Sequence, residues 1–505
     1  MFTLTLTLAL SVIAPAPVAL EKPEPGTSLT VYSSADPAGF NPQQFVQQQR
    51  NSGADNVWGV PGYGVVKVVR KVAIPKGIGE LAFTDVAAWI DPTTVSFVDL
   101  DDDSTTVLEQ NFQFDLVSPS KLMERYIGRS VTLAVPMGEG VSNVTGELLS
   151  ANQGQLVLKT ADGIKIIPMG GAQVTLGELP GGLLTKPTLV WKLAGGTGGE
   201  HLIRTTYQTA GMTWRSDYNI VLNGSDTSGS LNGWVTLMNL SGASYENTEL
   251  KLVAGDVHKV EPRPVYAARG GVMKMEAMAM ADASGFAEKE FADFHLYTLP
   301  RRTDVLQNST QQIALFPPVD GFKVKKELVF DFASGMGTPG APILDRDFNI
   351  AGKAKPAILV SFENKKDNEL GMPLPAGKIR VYKEDPADGT LEFIGEDLIA
   401  HTPRNETVKI RLGEAFDVVG ERTRTDFTID NAGKRMTETF RIEVRNQKSA
   451  QQKVRVIERL YRWTNWQIDQ KNINFEKLDS STIAFDLDVP PEGSKTITYR
   501  VVYTW

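Results

Sequence analysis

Side-chain polarity in this chain alternates with a period of two along most of its length. Near the C-terminus Ile483, Phe485, Leu487 and Val489 alternate with Ala484, Asp486 and Asp488, and Ile497, Tyr499, Val501, Tyr503 and Trp505 continue the alternation after Pro490-Pro491-Glu492-Gly493. Upstream, Phe440, Ile442 and Val444 alternate with Arg441, Glu443 and Arg445, and Val408, Ile410 and Leu412 with Lys409 and Arg411. Only an extended strand puts every second side chain on one face, and sustained helical spacing is scarce here. One face of each strand must then be covered by a core while the other meets water, as in antiparallel sheets. With 45 Gly and 28 Pro there are turn residues for every few strands. The pattern predicts an all-β fold of antiparallel β-sandwich domains, closed by a C-terminal hairpin at Pro490–Gly493.

A chain of 505 residues exceeds one hydrophobic core. Residues 1–20, with an apolar run from Leu4 to Ala14 followed by small residues and prolines, predict a signal peptide. The competing reading is a short buried strand, since Thr and Leu alternate from Thr3 to Leu8. No later stretch reaches the roughly 18 apolar residues of a spanning helix, so no transmembrane span is expected in the mature chain. The chain is expected to be exported, to the periplasm or the extracellular space. Residues 28–117 predict an N-terminal β region, interrupted at 33–61 by a flexible insertion rich in Gln, Asn, Gly and Pro. Residues 183–355 predict a central β-sandwich with an Ala/Met/Glu-rich linker at 267–288, and residues 356–505 a separate C-terminal β-sandwich.

Between these regions, Ser118 to Gly128 reads as a short capped helix ending at glycine. Five short strand-like runs follow within about 60 residues. This order resembles the small, strongly bent barrel of Sm-like proteins, and residues 118–178 are therefore expected to form a small inserted Sm/SH3-like barrel.

Composition removes much chemistry. Cysteine is absent, which excludes disulfides, thiolate metal sites and thiol nucleophiles. With 52 Lys and Arg against 60 Asp and Glu, the net charge is −8. Gripping a nucleic-acid backbone normally requires a basic excess, so no nucleic-acid partner is expected. Asp99, Asp101 and Asp103 alternate like the start of a calcium loop, but Ser104 and Gln110 stand where Gly and Glu are needed. A solvated hairpin tip is the simpler reading. Met273, Met275, Met278 and Met280 could offer thioethers to copper(I), yet no Cys or His reinforces them. His201, His258, His295 and His401 stand apart, without HxH or HExxH spacing. Gly195-Gly196-Thr197-Gly198-Gly199 lacks the lysine and helix of a phosphate loop and reads as a flexible connection between strands. No catalytic residue, metal ligand or cofactor is assigned.

The densest aromatic cluster is Tyr461-Arg462-Trp463-Thr464-Asn465-Trp466. Exposed, Trp463 and Trp466 would form a platform for sugar rings or a partner's anchor; buried, they would end a sandwich core. They are the candidate ligand-binding residues.

Several segments resemble the bacterial domain-of-unknown-function 4139 family, with mucoidy-inhibitor-like proteins as distant relatives. They include Tyr207 with Trp214, Arg215 and Tyr218, Gly233 to Leu237, Leu250 to Val257, and His295 to Pro300. They also include Gly371 to Asp385, Glu458 to Trp466, and Val489 to Trp505. The resemblance implies a β-rich exported protein and brings no catalytic residues with it. The expected function is a non-enzymatic envelope or extracellular protein, a binding or structural module whose partner is a protein or polysaccharide of the cell envelope. The alternative is an envelope-polymer hydrolase working through a carboxylate pair.

Overall fold

The structure is a computed structural model. It describes residues 22–505 apart from 34–39, 53–56, 58, 114–118, 138–139, 153, 179–183, 256–286, 292–293, 338, 349–350 and 386. About 63% of it is strand and 4% helix, so the fold is all-β. The expected signal peptide, the four clustered methionines and most of the expected linker lie outside the described residues. Two compact units emerge. The first comprises Met1–Leu29, Val65–Thr209 and Ser241–Thr248; the second Thr30–Gly64, Ala210–Leu240 and Glu249–Trp505.

In the first unit, the strand Thr188–Gly195 lies between Gly77–Thr84 and Thr106–Gln113, antiparallel to both. Its Trp191 is buried between Phe83 and Phe97, with ring centroids at 5.4 and 4.9 Å, and its indole N–H donates to Gln110 Oε1 at 2.8 Å. Thr188 pairs directly with Gln113. The chain therefore leaves this sheet after residue 113 and returns to the neighbouring position at 188, which is how a folded module fits in between.

That module begins with the helix Pro119–Arg125, after which Gly128 adopts φ +80°, a conformation that favours glycine. Five strands follow: Ser130–Met137, Gly140–Asn152, Gln155–Thr160, Gly163–Pro168 and Gln173–Thr175. Their spatial order is fifth, first, second, third, fourth. Met123, Tyr126, Val131, Leu133, Leu148, Leu156, Leu158 and Ile167 make one core, with Val174 of the fifth strand packed on it. The second and third strands approach closely at Gly146, where a Cβ would stand 2.7 Å from the Lys159 carbonyl oxygen. The small expected barrel is thus an open five-stranded sheet, because no ladder joins the fourth and fifth strands at its two edges.

In the second unit, Met212–Leu222 pairs antiparallel with Ser228–Asn239 and parallel with Gly377–Glu384. Ser309–Ala314 and Leu391–Ile399 extend that sheet on its two sides. Tyr218 O–H of this sheet donates to Pro375 O at 2.8 Å, and Tyr297 O–H donates to Pro373 O at 3.1 Å.

The C-terminal sandwich packs two sheets around a single core. One sheet runs Thr407–Glu414, Ala357–Glu363, Lys325–Asp331, Gln452–Arg459, Thr482–Val489, Glu476–Lys477. The other runs Ala351–Ala354, Val418–Asp430, Arg435–Asn446, Gly493–Thr504, Trp466–Lys471. Phe330, Val418, Met436, Phe440, Ile442, Val454, Val456, Phe485, Leu487, Ile497, Tyr499 and Val501 fill the space between them. Every alternating apolar residue read from Ile483 to Tyr503 is buried, with one change of partner. Thr482–Val489 pairs with Gln452–Arg459 and Gly493–Thr504 with Arg435–Asn446, so the Pro490–Gly493 turn crosses between sheets instead of closing a hairpin. Consecutive prolines there remove two ladder donors.

Inside the expected flexible insertion at 33–61, Pro42–Ser52 forms a helix. Asn41 caps it, accepting from Gln43 N at 3.0 Å, and Pro42 occupies the first turn.

Candidate functional site

The outer wall of the second sheet of the sandwich carries polar side chains in rows. Strand register sets Asp430 opposite Arg435 and Arg435 opposite Thr504; one row further, Thr428 faces Thr437 and Thr437 faces Val502. A bulge between Arg424 and Asp426 brings Asp426 opposite Thr439, beside Arg500. Together Asp426, Thr428, Ile429, Asp430, Arg435, Thr437 and Arg500 line a shallow groove of about 470 Å3. Arg500 is fixed by a bidentate pair to Asp469 at 2.8 and 2.7 Å, which holds that carboxyl below the usual carboxylate range. Two carboxylates and two guanidiniums on threonine-rich β-wall can take hydroxyls and a carboxylate from a ligand without moving the backbone. Asp426 and Asp430 lie four residues apart on one strand, with Thr428 between them on the same face.

Trp463 and Trp466 are both half-buried and packed on the sandwich core. Trp466 stands opposite Tyr503, its N–H donating to Ser480 O at 2.7 Å and Lys477 Nζ lying 4.9 Å from its ring. They are not brought to the groove lining. Tyr461 and Arg462, in the same segment, are the members sealed from solvent.

Two other acids lie inside the sandwich. Glu458 receives Arg422 Nε at 3.1 and 2.9 Å and the hydroxyl of Tyr499. Glu438 receives Arg424 at 3.2 Å and Arg462 at 2.9 Å. The Arg422 guanidinium lies 3.7 Å from the Phe440 ring centroid. Burial works against its charge, but Glu458 together with Tyr499 and Tyr461 outweighs it and holds the arginine pKa above the ordinary value. These carboxylates are closed off by arginines, so neither can reach a polymer.

The first unit contains a hydrogen-bonded cluster of titratable groups where the sequence pattern predicts a solvated hairpin tip. Asp99 is buried, not part of a solvated tip, and the strands flanking it do not pair with each other: Ile90–Asp99 pairs with Gly199–Thr209. Asp99 Oδ1 accepts from the backbone N–H of Asp101 and Asp102, and Oδ2 from Thr105 and His201 Nδ1, the last at 2.7 Å. His201 Nε2 lies 3.3 Å from Thr197 Oγ1, and Asp102 Oδ2 accepts both the N–H and the hydroxyl of Thr197 at 3.0 Å. The glycines around Thr197 are there for close approach. A Cβ on Gly195 would stand 2.2 Å from Pro75 O, on Gly196 2.1 Å from Ser104 Oγ, and on Gly198 2.9 Å from Lys76 N. The expected flexible connection is a tightly seated loop.

Carboxylate, imidazole and hydroxyl in sequence resemble a nucleophilic triad, but the surroundings oppose that chemistry. The Thr197 N–H and hydroxyl are already given to Asp102, whose negative charge beside the hydroxyl opposes a developing anion there. His401 Nδ1 accepts from Ala376 N at 3.0 Å, a structural contact. His258 lies outside the described residues. Among the described residues, no group of three or more His, Asp or Glu is arranged to hold a metal ion, and no helix is long and apolar enough to cross a membrane.

Comparison with family models, curated proteins and solved structures finds no match to this chain.

Proposed function

We propose that this chain is a non-enzymatic β-rich binding or structural protein, exported to the envelope or beyond, whose C-terminal sandwich takes a protein or polysaccharide on its outer wall. The observation that carries the reading is the groove between Asp426, Asp430, Arg435 and Arg500, where mixed charge and hydroxyls face outward on a rigid sheet. A groove of this shape suits a chain-like ligand lying across strands, held by hydrogen bonds. Export rests on the apolar run from Leu4 to Ala14. The same proposal includes the resemblance to the domain-of-unknown-function 4139 family.

The hydrolase alternative would need an accessible, converging acid pair. Glu438 and Glu458 fall short of it because both are enclosed and held by arginines. Co-sedimentation of the purified chain with an insoluble envelope fraction, combined with an assay for new reducing ends and new amino groups, tests the reading. Sedimentation without released products is expected. Steady product release would overturn the non-enzymatic part, and absence of sedimentation would overturn the binding part.

A further inference from the structure

The contact between His201 and the Gly195–Gly199 loop implies a response to pH. The imidazole joins two segments that approach it from different sides. The Asp99–Thr105 turn offers Asp99 to Nδ1, and the glycine loop offers the Thr197 hydroxyl to Nε2. The side chains of His201 and Asp99 are 9% and 1% exposed, so this pairing is shielded from competing water. The charges facing the imidazole are Asp99, Asp101 and Asp102, all from the turn; Lys22 neutralises Asp101 at 2.6 Å. Behind the loop, the backbone of Pro75 and Lys76 leaves no room at Gly195 and Gly198 for a side chain.

Hydrogen-bond counting separates the two protonation states. An imidazolium has two N–H donors. It can give one to Asp99 and the other to Thr197 Oγ1, which leaves the threonine hydroxyl hydrogen free for Asp102. All three links then hold together, and Thr197 is fixed from both sides. A neutral imidazole that keeps Nδ1–H on Asp99 has only a lone pair at Nε2. The single hydroxyl hydrogen of Thr197 must then choose between His201 and Asp102, and one link is lost.

We propose that His201 is a pH-operated latch, which in its charged form adds a bond from Nε2 to Thr197 and so tightens the Gly195–Gly199 loop on the Asp99–Thr105 turn, and on losing its proton drops one link and leaves the loop held more weakly through Asp102. The bond to Asp99, opposed by burial and supported by the charges of Asp99, Asp102 and Asp101, raises the His201 pKa above its ordinary value. The latch is therefore tight below the ordinary histidine range and loosens as pH rises through the raised value.

Hydrogen exchange of the full-length chain between pH 5 and 9, corrected for the intrinsic pH dependence of exchange, tests this in the peptide containing Thr197. Protection should fall about five- to tenfold across the histidine transition, the loss of one charge-assisted bond in a partly exposed setting. In His201→Gln the same peptide should show no pH step. Equal protection at both ends of the range in the wild type, or an unchanged step in the variant, would overturn the latch. Should His201→Gln fail to fold, the wild-type imidazole can be followed by NMR of histidine-labelled protein. A His201 midpoint above the ordinary value is expected, and one at or below it would overturn the proposal.

Discussion

Arg462 gives one N–H to Glu438 at 2.9 Å, with both side chains fully sealed from solvent. The same guanidinium also donates to the carbonyl oxygens of Ile343, Asp345 and Phe348, so one buried arginine fastens a loop to the sandwich. Replacing Glu438 with Gln should destabilise the chain by about 3–5 kcal/mol, because Arg462 and Arg424 lose their counter-charge inside the core. Denaturant unfolding followed by tryptophan fluorescence measures this, and a loss under about 1 kcal/mol would contradict it.

The neighbouring pair Arg422 and Glu458 should show strong coupling in a double-mutant cycle. Arg422→Met alone leaves Glu458 with only the Tyr499 hydroxyl, and Glu458→Gln alone leaves a buried cation on the Phe440 ring. Each single change should cost about 3–5 kcal/mol, and the double change clearly less than the sum of the two. Additive costs would mean that the pair does not act as a unit.

Trp463 and Trp466 lie between the two roles weighed from sequence. Both are half-buried against the sandwich core, so Trp→Ala at either should cost about 1–3 kcal/mol, below the roughly 3–5 kcal/mol of a fully enclosed indole. Thermal melts of the two single variants check this. Two unchanged melting curves would return both indoles to the position of displayed ligand contacts.

The alternation of residues from Ile483 to Tyr503 made the buried face legible to the residue, because a period of two leaves no choice of side. It did not make the partner strand legible. Both Thr482–Val489 and Gly493–Thr504 point inward whichever sheet each one joins, and the Pro490-Pro491 turn sends them to opposite sheets. Asp99 to Asp103 gave the same ambiguity: flanking strands suggested a hairpin, while each one pairs elsewhere. The helix Pro42–Ser52 could have been found from Asn41-Pro42, a cap followed by a first-turn proline, but its Gln-rich surface lacks the apolar stripe that announces a helix. The groove was not legible at all. Asp426, Arg435 and Arg500 are ordinary outward-facing members of three alternating strands, and only strand register brings them together.

Gly420 tests the packing of the sandwich from the inside. A Cβ at this position would lie 2.3 Å from a carbon of the Phe330 ring, which has no room to swing away within the core. Gly420→Ala should therefore destabilise by about 1–3 kcal/mol, although alanine suits a strand better than glycine. A stabilised variant, read from its unfolding midpoint, would contradict the close approach of the two sheets.

Binding of an envelope component on the outer wall of the C-terminal sandwich remains the proposal to be measured. The most direct measurement is co-sedimentation of wild-type protein and Arg435→Glu with the same envelope fraction, alongside their melting curves. Arg435 is exposed and lines the groove, so the reversal of charge should leave the melting temperature within a degree or two and reduce sedimentation at least tenfold. Equal sedimentation of the two proteins, with both folded, would contradict the assignment of the groove.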